Sequence, residues 1–226
     1  MKSKRITIIC GHYGSGKTTF SINYALYLRN QTSKDIYIAD LDVVNPYFRS
    51  REHFDYLKDK NIKVIGSYLP QSGADLPAVS AEVYTLFDNK NIIGIVDMGG
   101  NSAGSLSFAT FRDNVDIEET DIIFILNAKR EENSTLEFAL GHFNSIESTL
   151  GLKITGIVNN THLMNDTTIE DINKGELISS ELSKEKNIPV KFTCINMDFF
   201  DNNPNIKTKY DLFLIGYDIK TVTNII

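Results

Sequence analysis

Cysteine is scarce in this chain. Its 226 residues include two, Cys10 and Cys194, which lie far apart, each inside an apolar run. No C-x-x-C pair occurs, which excludes an iron–sulfur or zinc centre built from the cysteines of one chain. Two buried thiols in a reducing compartment are the expected reading. Apolar stretches of membrane-spanning length are missing too, so no membrane partner is expected. The basic start, Met1-Lys2-Ser3-Lys4-Arg5, leads into a short strand pattern that a glycine-rich loop breaks at once. It lacks the length and cleavage site of a signal peptide, and a cytoplasmic location is the expectation. Basic excess is also absent. The net charge is −6 and the pI about 5.3, with no basic tail and no Lys/Arg cluster interleaved with aromatics, so nucleic acid is not an expected partner. What remains is 42% hydrophobic and 23% charged, which suits a buried core, with no linker composition and no internal repeat. One domain over 1–226 is the expectation.

Apolar runs recur between helical patterns, at Arg5–Cys10, Ile36–Ala39, Ile62–Ser67, Ile92–Val96, Ile122–Leu126, Ile154–Val158 and Val190–Ile195. Most lack clean alternation, as strands covered on both faces of a parallel sheet do. Ser134–Leu150 predicts a helix with an apolar stripe of Leu136, Leu140, Phe143, Ile146 and Leu150, capped by Ser134 and stopped by Gly151. A second helix, Thr168–Lys186, would turn Ile172, Leu177, Ile178 and Leu182 inward. This alternation predicts an α/β three-layer sandwich, a mostly parallel sheet of about seven strands with right-handed crossovers. Beyond Asn196 the pattern is harder to read, and the last residues suit either a strand or a short helix.

One segment has a specific mechanism. Gly11-His12-Tyr13-Gly14-Ser15-Gly16-Lys17-Thr18 fits G-x-x-x-x-G-K-[ST], with an apolar run, Ile6 to Cys10, before it and a helix-compatible run, Thr19 to Arg29, after it. In that context successive backbone N–H groups converge on an anion and the helix N-terminus adds its positive dipole end. Lys17 would reach the β- and γ-phosphates of a nucleoside triphosphate, and the Thr18 hydroxyl would ligate Mg²⁺.

Ligands of doubly wound sheets bind outside the carboxyl ends of the strands, and chemistry-bearing residues stand there. Asp40-Leu41-Asp42 follows the second strand, and two carboxylates at i, i+2 on extended backbone can face one side. Asp40 would hold Mg²⁺ through a water, and Asp42 would orient or deprotonate the attacking water. Asp97-Met98-Gly99-Gly100 ends the fourth strand in a Walker B arrangement, with Asp97 at the metal and Gly100 letting a backbone N–H approach the γ-phosphate. Asn101–Ser105 continues as a switch loop. After the sixth strand, Asn159-Asn160-Thr161-His162 offers amides and no carboxylate, a set that favours adenine over guanine. Arg49, Arg51, Lys129 and Arg130 are open between anion clamps and surface ion pairs.

In this order the motifs resemble those of the MinD/ParA-type P-loop ATPases, the CobQ/CobB/MinD/ParA nucleotide-binding group, in a bacterial subgroup with a variant Walker A loop. The resemblance reaches to about residue 195. It implies Mg·ATP as cofactor, slow hydrolysis, and a nucleotide-dependent homodimer that serves as a switch or assembly factor for a protein partner the sequence does not identify. It places Gly14, Gly16, Lys17, Thr18 and Thr19 on phosphates and Mg²⁺, Asp42 on the water, Asp97 in the magnesium shell, and Asn160 or Asn159 on adenine. The group's signature lysine, which reaches into the partner's site, is His12 here, and Tyr13 replaces a glycine. Two other readings suit the same scaffold. One is an ATP-dependent synthetase of the dethiobiotin synthetase type, with Tyr47, Arg49 and Arg51 holding a substrate. The other is an ATP sensor that barely turns over.

Overall fold

The computed structural model describes residues 4–41, 51–66, 81–100, 108 and 110–216. Eight strands form one parallel sheet. They are β1 (Ile6–Cys10), β2 (Asp35–Asp40), β3 (Ile62–Gly66), β4 (Ile92–Asp97), β5 (Thr120–Leu126), β6 (Gly156–Asn159), β7 (Val190–Asn196) and β8 (Leu212–Ile215), in the order β3-β2-β4-β1-β5-β6-β7-β8. The helices are α1 (Lys17–Arg29), α2 (Arg51–Asp59), α3 (Tyr84–Asp88), α4 (Leu136–Leu150), α5 (Ile169–Lys186) and α6 (Met197–Asn202).

The continuous apolar strands pack helices on both faces. On one face α1 and α2 bring Phe20, Ala25, Leu28 and Leu57 against Ile9, Ile38, Ile95 and Ile125. On the other, α3, α4 and α5 bring Leu86, Phe143, Leu150, Ile178 and Leu182 against Ile8, Val96, Phe124 and Ile157. Each such large apolar side chain contributes about 1.5–3 kcal/mol by burial. The α/β three-layer sandwich follows, with one strand more than the sequence pattern suggests. The additional strand, β8, has four residues that alternate exposed and buried at the sheet edge, a signal too short to separate from a helical turn.

Two details differ from the periodicity. Thr135 caps α4, its side chain accepting from the Phe138 N–H, while the Ser134 hydroxyl donates to the Glu131 carbonyl. Leu177 is 60% exposed because it lies about 140° around α5 from Ile172. The stop at Gly151 is a left-handed C-cap, φ 65°, as expected of glycine there. Thr168 and Asp171 close a capping box at the start of α5, which satisfies two of its orphan backbone donors.

The topology places the site. From β1 the chain leaves through α1 over one face toward β2, and from the adjacent β5 it leaves through α4 over the opposite face toward β6. The carboxyl ends of neighbouring strands β1 and β5 therefore open a crevice between diverging connections.

Candidate functional site

The loop Gly11–Gly16 fills that crevice. Gly16 sits at φ 85° as the residue before α1, a left-handed conformation that turns the chain into the helix and strains any residue with a Cβ. A Cβ there would also lie 2.3 Å from Asn160 Nδ2. The Ser15 N–H and the Lys17 ammonium both donate to the His12 carbonyl, at 3.1 Å each, so the lysine arches back across the loop. Lys17 is 6% exposed, a charge drawn into the fold at the helix N-terminus.

Register sets the carboxylates beside it. Asp97 pairs across the sheet with Ile9 of β1 on one side and with Asp40 of β2 on the other. Ile38 and Ile95, two residues earlier on the same strands, face the α1 side, and alternation puts Asp40 and Asp97 on that side too. Thr18, in the first turn of α1, stands on the same side of the sheet. Asp97 is 1% exposed. A hydroxyl and two carboxylates are hard oxygen donors of the kind Mg²⁺ takes. Among the described residues no three His, Cys, Asp or Glu gather closely enough to hold a metal ion.

Gly100 closes the third side. A Cβ on it would lie 2.6 Å from Lys17 Nζ and 2.6 Å from the Tyr13 backbone nitrogen, so the exit of β4 touches the loop at a spacing that only glycine permits. Asp42, Asn45–Arg49 and Asn101–Ser105 lie outside the described residues, as does the side chain of Arg51.

His12 lies against α4 and the segment before it. Its Nδ1 donates to the Tyr13 carbonyl at 2.9 Å, and its Nε2 stands 3.5 Å from Glu132 Oε1, an ion pair when the ring carries both protons. The His142 ring meets it edge-on at 5.1 Å. Burial, reinforced by His12 and Lys17, pushes the His142 imidazole down to about 4, so at neutral pH that ring is uncharged. Cys10, just before the loop, is buried and donates to the Ile123 carbonyl. Burial pushes its thiol up to about 12 and that of Cys194 higher still, so both are inert at neutral pH.

Asn159, which ends β6, and Asn160, which follows it, have different surroundings. Asn159 is 1% exposed. Its amide donates to the Ile172 carbonyl at 3.3 Å and accepts from the Thr161 hydroxyl at 2.7 Å, which holds it among β6, its exit loop and α5. Asn160 donates to the Ser15 carbonyl at 2.7 Å, tying the phosphate loop to a neighbouring cavity of about 340 Å³. That cavity is lined by Thr19, Asn160, His162, Met164, Asn196 and Asp198, with Cys194 and Ile195 among its apolar residues. Asn196 and Asp198 stand outside the sequence-predicted residues. The signal was available, since Asn196 ends β7 and Asp198 follows it, where the strand-end rule places chemistry.

No family model matches the chain, and no curated protein does. Solved structures do. The cell division protein FtsY from Thermotoga maritima aligns at TM-score 0.57 and 19% identity over 84% of this chain and 61% of its own. The signal recognition particle 54 kDa protein from Aeropyrum pernix K1, in complex with GDP, aligns at 0.55 and 17% over 85% and 41%. FtsY from Elizabethkingia anophelis, in complex with GDP, aligns at 0.54 and 13% over 86% and 58%. The chain thus spans about three fifths of the FtsY structures and two fifths of the 54 kDa protein. These likenesses show the fold: a parallel sheet with its helices arranged as in FtsY and the signal recognition particle 54 kDa protein. Among the described residues no helix is long and apolar enough to cross a membrane.

Proposed function

We propose that this chain is a Mg²⁺-dependent nucleoside triphosphatase of the MinD/ParA type, slow in turnover, that prefers ATP and works as a nucleotide-controlled switch or assembly factor in the cytoplasm. The observation that carries the reading is the contact of Gly100 with Lys17 and Tyr13. It brings the loop after the Walker B strand to the end of the phosphate loop where a terminal phosphate would sit. A triphosphate and a diphosphate would then differ in what Gly100 touches, which is the physical basis of a switch.

In this reading the loop N–H groups of residues 12–18 bind the β-phosphate and Lys17 leaves the His12 carbonyl to bridge the β- and γ-oxygens. Thr18, Asp40 and Asp97 would hold Mg²⁺, whose charge offsets that of the phosphates. Asp42 orients the water that attacks the γ-phosphorus as the bond to the β–γ bridging oxygen breaks. Asn160 spans the phosphate loop and the base cavity, and Asn159 acts through the backbone it fixes. Asp198 gives a second reading its footing. A carboxylate in the base cavity can accept from guanine N1 and N2 as well as from adenine N6, so GTP is the competing nucleotide.

Phosphate release from Mg·ATP and Mg·GTP, measured across a wide range of protein concentration, tests both points. Turnover with ATP above GTP supports the assignment, and the reverse order moves it to GTP. A specific rate that climbs with concentration identifies a catalytic homodimer despite His12. Absence of both binding and turnover with either nucleotide overturns the proposal.

A further inference from the structure

Arg130 leaves the carboxyl end of β5 and lies on the phosphate loop. Its Nε donates to the Gly14 carbonyl at 2.9 Å. A Cβ built on Gly14 would lie 2.9 Å from both Cζ and Nε and 3.1 Å from Nη2, so the guanidinium rests against the Gly14 backbone. The side chain is exposed. Among the described residues its terminal amino groups make no hydrogen bond and no carboxylate reaches it. The nearby Glu132 faces His12 instead, and Lys129, one residue earlier, is taken by Asp171 at 2.9 Å.

The loop has a direction. At Gly16 it abuts Asn160 and His162, which line the base cavity. At Tyr13 it abuts Gly100, beside the Lys17 ammonium. Gly14 follows Tyr13, so Arg130 lies toward the terminal-phosphate end. One N–H fixes the fork in place, and two amino groups are left to meet an oxyanion in the paired geometry that guanidinium and phosphate share.

We propose that Arg130 is a catalytic residue that contacts the terminal phosphate of a triphosphate bound in the same chain and stabilises the charge that builds there during transfer. The inference rests on the triphosphatase reading.

The test compares full-length wild type with Arg130→Ala, Arg130→Lys and Lys17→Ala. Phosphate release is measured alongside the Kd values of a non-hydrolysable triphosphate analogue and of the diphosphate. For Arg130→Ala, kcat is expected to fall by about 100-fold or more, since an arginine at a transferring phosphoryl group commonly contributes more than that. Diphosphate Kd should move by less than about threefold, because the interaction is made chiefly with the terminal phosphate. Added guanidinium should restore part of the turnover of Arg130→Ala and none of that of Lys17→Ala, and Arg130→Lys should stay impaired. An unchanged kcat, or equal loss of di- and triphosphate binding, overturns the assignment and makes Arg130 a brace for the loop. Wild type that neither binds nor hydrolyses a triphosphate overturns the underlying reading as well.

Discussion

The two ends of β1 hold the same kinds of charge in different settings. At its amino end Arg5 donates to the carbonyls of Leu86, Phe87, Asn89 and Ile92 and pairs with Glu119 at 2.9 Å. Lys90 meets Glu119 from the other side at 2.7 Å. Charge there is met by carbonyls and counter-ions of the chain itself. At the carboxyl end the Lys17 ammonium donates to the His12 carbonyl, Asp40 and Asp97 stand side by side on neighbouring strands, and the Arg130 guanidinium rests on Gly14. Charges satisfied within the chain hold a fold together. Under the triphosphatase proposal the charges at the carboxyl end also await a ligand, so the two ends should answer differently to substitution.

Substitutions at the two ends should therefore fail in different assays. The largest effect is expected from Lys17→Ala, which should lower turnover or triphosphate affinity by at least about 100-fold while the melting temperature of the free protein barely moves. Asp97→Asn comes next, with a turnover loss of about tenfold or more and a rise in the Mg²⁺ concentration needed for half-maximal rate. Asp42→Ala should retain ATP binding and lose hydrolysis, and normal turnover would remove Asp42 from the mechanism. Arg5→Ala should do the reverse of Lys17→Ala. Orphaning several part-buried carbonyls is expected to cost about 2–4 kcal/mol and lower Tm by about 5–10 °C, with kcat of the folded protein unchanged. A fall in kcat larger than the loss of folded protein would show that the two ends are coupled.

The smallest effect is one of pH. Hydrogen bonds from Lys90 and Arg5 hold the Glu119 carboxyl below the usual carboxylate range, and that from Lys129 does the same for Asp171. A carboxylate depressed in the folded state stabilises above its unfolded pKa, and the contribution disappears as pH falls through the folded one. Melting curves from neutral pH down to pH 3 should show a loss below the ordinary carboxylate range that Glu119→Gln reduces. Both side chains are partly exposed, Glu119 at 35% and Asp171 at 12%, so solvent screens the pairs and the change should be modest.

The sequence made one end of β1 easier to read than the other. The phosphate loop is contiguous, and its glycines and lysine stand in fixed spacing, so Gly16, Lys17 and Thr18 were legible without a fold. Asp97 and Gly100 were legible because a carboxylate and glycines follow an apolar run. Arg5 carried no such signal, since its carbonyl partners are more than eighty residues away and backbone acceptors leave no trace in composition. Arg130 was open for a related reason: it meets a backbone carbonyl, which leaves no trace in composition. Among the helices, Leu177 was misplaced because a run of hydrophobic letters hides the angular step of α5. Asp198 was passed over because it belongs to a short helix after β7, and its distance from the phosphate loop collapses only when the sheet order is known.

Asn127, completely buried at the end of β5, has a consequence of its own. Its amide donates to the His162 carbonyl at 3.2 Å and accepts from the His162 N–H at 3.3 Å, the two bonds a backbone partner would make. One rung below, the Asn160 N–H donates to the Leu126 carbonyl at 2.7 Å. The side chain thus continues the ladder between β5 and β6 past the last paired residue. In deuterated solvent the His162 amide should keep its proton as long as the strand amides below it, although it belongs to a loop. The cavity wall it forms would then open only when the sheet does.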